Sequence, residues 1–171
     1  MLIDTIVAVA TPGGRGGIGI VRLSGPKAIE VASRLVGAEF PKSRVAKYTD
    51  FLDLDGNKID TGLIIFFEAP NSYTGEKVIE LHMHGNPIIL GEMVRACCEL
   101  GARIARPGEF TERAFRSGKI DLLQAEAVGI VQADCTRLAG ISEWLAVVML
   151  ARKYPVRLVP HVGDMGQIHQ H

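Results

Sequence analysis

Asn71-Ser72-Tyr73-Thr74-Gly75-Glu76-Lys77-Val78-Ile79-Glu80-Leu81-His82-Met83-His84-Gly85 changes character midway. It opens on loop chemistry and then alternates. Val78, Glu80, His82 and His84 fall on one side of a strand, and Ile79, Leu81 and Met83 on the other, because successive strand side chains point to opposite faces. The Ile79 side can enter a core. The other side lines up a carboxylate and two imidazoles, which is more polarity than a buried face tolerates without partners. A ligand is one way to supply them.

The elements around this strand follow from local chemistry. Leu63-Ile64-Ile65-Phe66-Phe67 predicts that a strand from Ile59 to Phe67 is buried on both faces. Asp55-Gly56-Asn57 is the hairpin turn before it, preceded by a strand from about Lys47 to Leu54. After Gly85, Asn86-Pro87 caps and starts a helix with Ile89, Met93, Ala96, Cys97 and Leu100 on one stripe, closed by Gly101. Ile6 to Ala10 and Ile18 to Leu23 read as strands flanking a glycine-rich turn. Ser24 as cap and Pro26 in the first turn predict a helix that carries Ala28, Val31, Ala32 and Leu35 and ends at Gly37. Ala102 to Ala105 reads as a short strand, and Pro107 begins a compact helix. Asp121 with Gln124 resembles a capping box for a longer helix through about Ala133. Strands fill the first half and helices the second, with hairpin-like connections. The expected fold is α+β, with a mixed, largely antiparallel sheet and packed helices.

Composition sets limits. With 171 residues and 47% hydrophobic content, the chain can bury one core and carry an appended piece. The formal charge is zero, from 19 basic and 19 acidic residues, unlike a generally basic nucleic-acid binder. Three cysteines make neither a disulfide framework nor a zinc pattern, and a reducing cytoplasm fits them. The N-terminus does not read as a secretory signal. The longest apolar run, Trp144 to Ala151, falls far short of the ~20 residues that span a bilayer.

Gly14-Arg15-Gly16-Gly17-Ile18-Gly19 matches G-x-G-x-x-G, but that motif needs a following helix to face a pyrophosphate. Here a strand follows, so a turn between two strands explains it better. No G-x-x-x-x-G-K-[ST] phosphate loop occurs. His82-Met83-His84 has the spacing of two metal ligands on one strand face, without an obvious third. Glu109/Arg113 and Glu112/Arg116 have i,i+4 spacing, which reads as a solvated, ion-paired helix. Lys119 follows Gly118 in a connection, a better place for ligand contact. Arg22 shares its strand face with Ile18 and Ile20, so this cation needs a partner or an anion. The candidate site is therefore Arg22, Glu80 and Lys119. A carboxylate accepts two parallel hydrogen bonds from an amidine-like edge, and the cations hold carboxylate or carbonyl oxygens. That suits an anionic heterocycle better than a bare metal.

Several ordered motifs carry a resemblance over about Asp4 to Ala139. They are Asp4-Thr5-Ile6-Val7-Ala8, Gly16-Gly17-Ile18-Gly19-Ile20-Val21-Arg22-Leu23-Ser24-Gly25, Ser72-Tyr73-Thr74-Gly75-Glu76, Arg106-Pro107-Gly108-Glu109-Phe110-Thr111-Glu112-Arg113 and Lys119-Ile120-Asp121-Leu122. The chain resembles the N-terminal domain of the TrmE (MnmE) family of tRNA modification GTPases. The resemblance implies a domain, residues 1–120, similar to the folate-binding domain of the glycine-cleavage aminomethyltransferase. It further implies a homodimer that binds 5-formyltetrahydrofolate or a related one-carbon folate, with Arg22, Glu80 and Lys119 as the contacts. Full-length members use GTP with magnesium and potassium. With a flavin-dependent partner protein they modify the wobble uridine of certain tRNAs in the cytoplasm. Residues 121–171 read as the start of the family's helical domain to about Ala139, followed by an atypical tail. Asn86 stands where the family usually has a second glycine. G-domain motifs do not follow, so GTP hydrolysis is not expected of this chain. The alternative reading is a small independent metal-assisted enzyme using His82 and His84.

Overall fold

A computed structural model describes residues 4–121 and Ala125. The chain divides into two compact units, Met1–Lys119 and Ile120–His171. The expected helix through Ala133 and the tail beyond it lie outside the described residues, except for Asp121 and Ala125. The Ala125 amide donates to the Asp121 carbonyl at 2.9 Å.

The elements of the first unit in chain order are β1 (Ile6–Val9), β2 (Gly16–Ser24), α1 (Ala28–Arg34), β3 (Lys47–Leu52), β4 (Lys58–Phe67), β5 (Val78–Gly85), α2 (Pro87–Glu99), β6 (Arg103–Ile104) and α3 (Glu109–Arg116). The sheet has six strands in the order β3-β4-β5-β2-β1-β6. Every neighbouring pair is antiparallel except β1 and β6, which are parallel. The fold is the expected α+β class with a mixed, mostly antiparallel sheet. Among the described residues, no helix is long and apolar enough to cross a membrane.

The alternation in β5 holds. Ile79, Leu81 and Met83 enter the core with Val7, Val21 and Leu23 from β1 and β2, with Val31 of α1 and Leu35 just past its end, and with Leu90 and Met93 of α2. Full burial of such a side chain contributes roughly 1.5–3 kcal/mol, so this face of the sheet drives folding. Asn86 caps α2 as expected, its side chain accepting from the Ile88 amide at 3.0 Å. Cys97 on α2 lies in this core, where burial pushes its thiol up to about 12.

The expectations for β4 and for the start of α1 fail. β4 is not buried on both faces: Ile64 and Phe66 are buried, whereas Leu63 is exposed and Ile65 and Phe67 are half-buried. The sheet has helices α1 and α2 on one face only, so an apolar run here means one core face and one open face. Ser24 does not cap α1. It ends β2, fully buried, and α1 begins after Lys27 without a side-chain cap. The Ser24 hydroxyl bonds Thr74 Oγ1 at 2.7 Å and donates to Glu76 Oε2 at 2.6 Å.

The second face is roofed at one end by α3 and the 71–77 loop. Arg113 joins them. Its guanidinium donates to Asp4, Glu76 and Glu109, and only 13% of its side chain is exposed. The expectation of a solvated helix therefore holds for Arg116, paired with Glu112 at 2.6 Å, and fails for Arg113. Periodicity detected the Glu109–Arg113 pair but not the distant groups that bury it. The Ser117 hydroxyl donates to the Thr74 carbonyl, and Tyr73 Oη meets Thr111 Oγ1 at 3.1 Å. Gly75 has φ +77°, and a Cβ there would sit 2.9 Å from Ser117 Cβ. Loop and helix can approach this closely only with glycine at that position.

Glu109 anchors the roof. Burial pushes its carboxyl up, but hydrogen bonds from Arg103, the Arg106 amide and Arg113 outweigh this and hold it at about 2. Asp4 is likewise held below its usual range, chiefly by Arg103. Depressed carboxylates stabilise the fold above their unfolded pKa, and that stability is lost as pH falls through the folded value. Thermal melts should therefore show a Glu109-dependent loss between about pH 4.5 and 2. At neutral pH Glu109→Gln should cost roughly 3 kcal/mol, the low end for breaking a buried ion pair, because Arg103 keeps contact with water. A variant with the parent's midpoint at pH 7 and at pH 3 would remove Glu109 from this role.

Candidate functional site

The open face begins with register. Arg22 on β2 stands opposite Glu80 on β5, with Ile65 of β4 on its far side and Ala8 of β1 beyond Arg22. The next row is Tyr48, Leu63, His82 and Ile20. Cross-strand neighbours in such rows have Cβ atoms about 4.5–5.5 Å apart, so their side chains interact directly.

Arg22 and Glu80 meet. Arg22 Nε and Nη2 both approach Glu80 Oε1, at 3.0 and 2.8 Å. This supplies the partner that a cation in an apolar row requires. Glu80 Oε2 meets His82 Nε2 at 3.0 Å. Each Glu80 oxygen is therefore held, and the side chain is 15% exposed. The Arg22 guanidinium also lies 5.4 Å from the Tyr73 ring centre and 5.9 Å from that of Phe110. These rings come from the roof, one from the loop and one from α3. The result is a cluster of a carboxylate, a guanidinium and two aromatic rings on one part of this face.

Lys119 is exposed and follows α3. Its amide donates to the Ala114 carbonyl at 2.9 Å. A Cβ on Gly75 would lie 3.4 Å from Lys119 Cε, so the lysine stem runs beside the 71–77 loop. The three sequence-derived residues thus divide into a bonded pair, Arg22 and Glu80, and a cation joined to that pair's surroundings through the loop. Tyr73 and Phe110 escaped the sequence reading. Both stand inside quoted motifs, but neither period nor spacing shows which ring meets Arg22.

The two histidines of β5 share a face but serve different carboxylates. His84 Nδ1 meets Asp60 Oδ1 at 2.8 Å, and its backbone amide donates to Asp60 Oδ2. Among the described residues no group of three or more His, Cys, Asp or Glu is arranged to hold a metal ion. Along the same face from this cluster lies a shallow groove of about 210 Å³ lined by Ile18, Tyr48, Leu63, His82 and His84 among others. Tyr48 and Ile18 are 72% and 67% exposed, an apolar surface on an otherwise open sheet.

Residues 5–119 match the family model described as the GTP-binding protein TrmE N-terminus. A second model, described as enolase C-terminal domain-like, matches residues 112–171, most of which lie outside the described residues. The tRNA modification GTPase MnmE of Laribacter hongkongensis (strain HLHK9) is 54% identical over 127 residues, which is 74% of this chain and 28% of that protein. The protein of the same name from Neisseria meningitidis serogroup C (strain 053442) is 55% identical over 126 residues, again 74% and 28%. That of Chromobacterium violaceum is 54% identical over 124 residues, 72% of this chain and 28% of its own. The chain therefore spans a little over a quarter of the length of these relatives. The first of these matches takes in every strand and helix described above, and on it the chain belongs to the TrmE N-terminal family.

Proposed function

We propose that this chain is the one-carbon-folate-binding and dimerising module of a tRNA modification GTPase. The observation that carries the reading is the Arg22–Glu80 pair, set on an open sheet face beneath Tyr73 and Phe110 in a chain of this family. The residues fit a reduced folate. A pterin presents an N–H and an amino group side by side, and a carboxylate accepts both; an ionised carboxylate has about four lone-pair positions, so the bonds to Arg22 and His82 leave acceptors free. Aromatic rings offer a face to a heterocycle. Arg22 and the exposed Lys119 suit the ligand's anionic or carbonyl oxygens. 5-Formyltetrahydrofolate would bring the one-carbon unit. In the whole protein, GTP with magnesium and potassium, a flavin-dependent partner protein and tRNA complete a cytoplasmic wobble-uridine modification. The relatives' name, tRNA modification GTPase, supports that wider setting. Dimerisation is supported by the exposed apolar surface around Ile18, Tyr48 and Leu63.

Titration calorimetry with 5-formyltetrahydrofolate, without added metal, should show binding. Glu80→Gln should weaken it by roughly 2–4 kcal/mol, or about 30- to 1000-fold, because one acceptor becomes a donor facing a donor. Equal affinity at an unchanged thermal midpoint would remove Glu80 as the pterin anchor. Sedimentation of the chain at micromolar concentration should give a dimer, and a strict monomer counts against the dimer assignment. Purified chain should not turn over GTP, since its sequence contains no phosphate loop; dose-dependent turnover would overturn that.

A further inference from the structure

We infer that His82 is a positioning residue for the ligand-binding carboxylate of Glu80. The inference rests on the folate reading and adds a residue to it. Glu80 projects from the sheet on a flexible side chain, and an anchor for two parallel hydrogen bonds must hold one orientation. Arg22 fixes only one oxygen, since Nε and Nη2 converge on Oε1 at 3.0 and 2.8 Å. That arrangement leaves the carboxylate free to swing about Oε1. His82 Nε2, 3.0 Å from Oε2, holds the other oxygen.

The surroundings suit such a support. His82 lies between Leu63 of β4 and Ile20 of β2, so its neighbours across the sheet offer the ring no competing charge. Its backbone is also fixed. A Cβ on Gly62 would collide with the His82 carbonyl oxygen, so β4 and β5 close tightly where the imidazole projects. His84, two residues on, is held instead by Asp60. The two imidazoles of the His-x-His stretch thus divide: one serves the ligand-binding carboxylate and the other a carboxylate on β4.

Calorimetric titration of 5-formyltetrahydrofolate into four variants tests this. His82→Leu places an apolar side chain between apolar neighbours, so its thermal midpoint should stay at or above the parent's. Its affinity should fall roughly 10- to 100-fold, the range for losing a hydrogen bond to a charged group. His82→Gln, whose side-chain amide carries an N–H at a similar reach, should recover most of that loss. In a Glu80→Ala background no carboxylate remains to be held, so His82→Leu should change affinity by less than about twofold, the non-additivity expected of residues that act through one another. Full additivity of the two losses, or parent-like affinity in His82→Leu, would overturn the positioning role while leaving the folate site intact. Absence of binding by the parent chain would overturn both.

Discussion

The pairing of β2 with β5 is the constraint on which the described structure depends. Its antiparallel register sets Ile20 against His82, Arg22 against Glu80 and Ser24 against Val78. A slip of one residue would turn Ile79 and Leu81 outward and bury the carboxylate and the imidazole. The core forbids that slip, because Val21, Leu23, Ile79 and Leu81 are all fully buried on the helix side. Hydrophobic burial on one face therefore dictates which charges meet on the other. The ion pair itself is mostly buried, its side chains 26% and 15% exposed, so the cost of dehydrating both charges offsets much of their attraction.

The roof over that face is polar in construction. Asp4, Glu76, Glu109, Arg103 and Arg113 bring loop, helix and N-terminal segment together through charge-assisted hydrogen bonds. Such a cluster is costly to dehydrate, and it holds only when every member is partnered. In return it fixes direction. Tyr73 and Phe110 reach Arg22 from two separate elements, and the relative placement of those elements is set by Arg113 and by Ser117 against Thr74.

Much of this was legible in the sequence, for identifiable reasons. The two faces of β5 follow from a period of two, and the Asn86 cap from local chemistry; neither requires a distant residue. Arg22 could be recognised as a cation that needs a partner, because its own strand neighbours are apolar. What could not be read was long-range. Ser24 has the chemistry of a cap, yet its hydroxyl is taken by residues 50 and 52 positions away. Arg113 has the spacing of a surface pair, yet it reaches back 109 positions to Asp4. The β4 run is apolar throughout, and only the placement of both packed helices on one side shows that its other side stays open. Local patterns assign a side chain to a face, but they do not name its partner across the fold.

The chain's two ends of the described fold close on each other. β6 pairs with β1, the Arg103 amide donates to the Thr5 carbonyl, and Arg113 holds Asp4. During synthesis β1 with β2, β3 with β4 and β4 with β5 can pair as hairpins or near-hairpins once each has left the ribosome, whereas β2 waits for β5, 58 positions on at Arg22 and Glu80. β1 has to wait with one edge bare until some hundred further residues have emerged, a separation that makes its closure a late, non-local step. For a vectorially made polypeptide, the cluster around Arg22 is thus finished at the moment when the first residues meet the last of this unit, and a nascent chain stopped before α3 carries the sheet without its lid of charges.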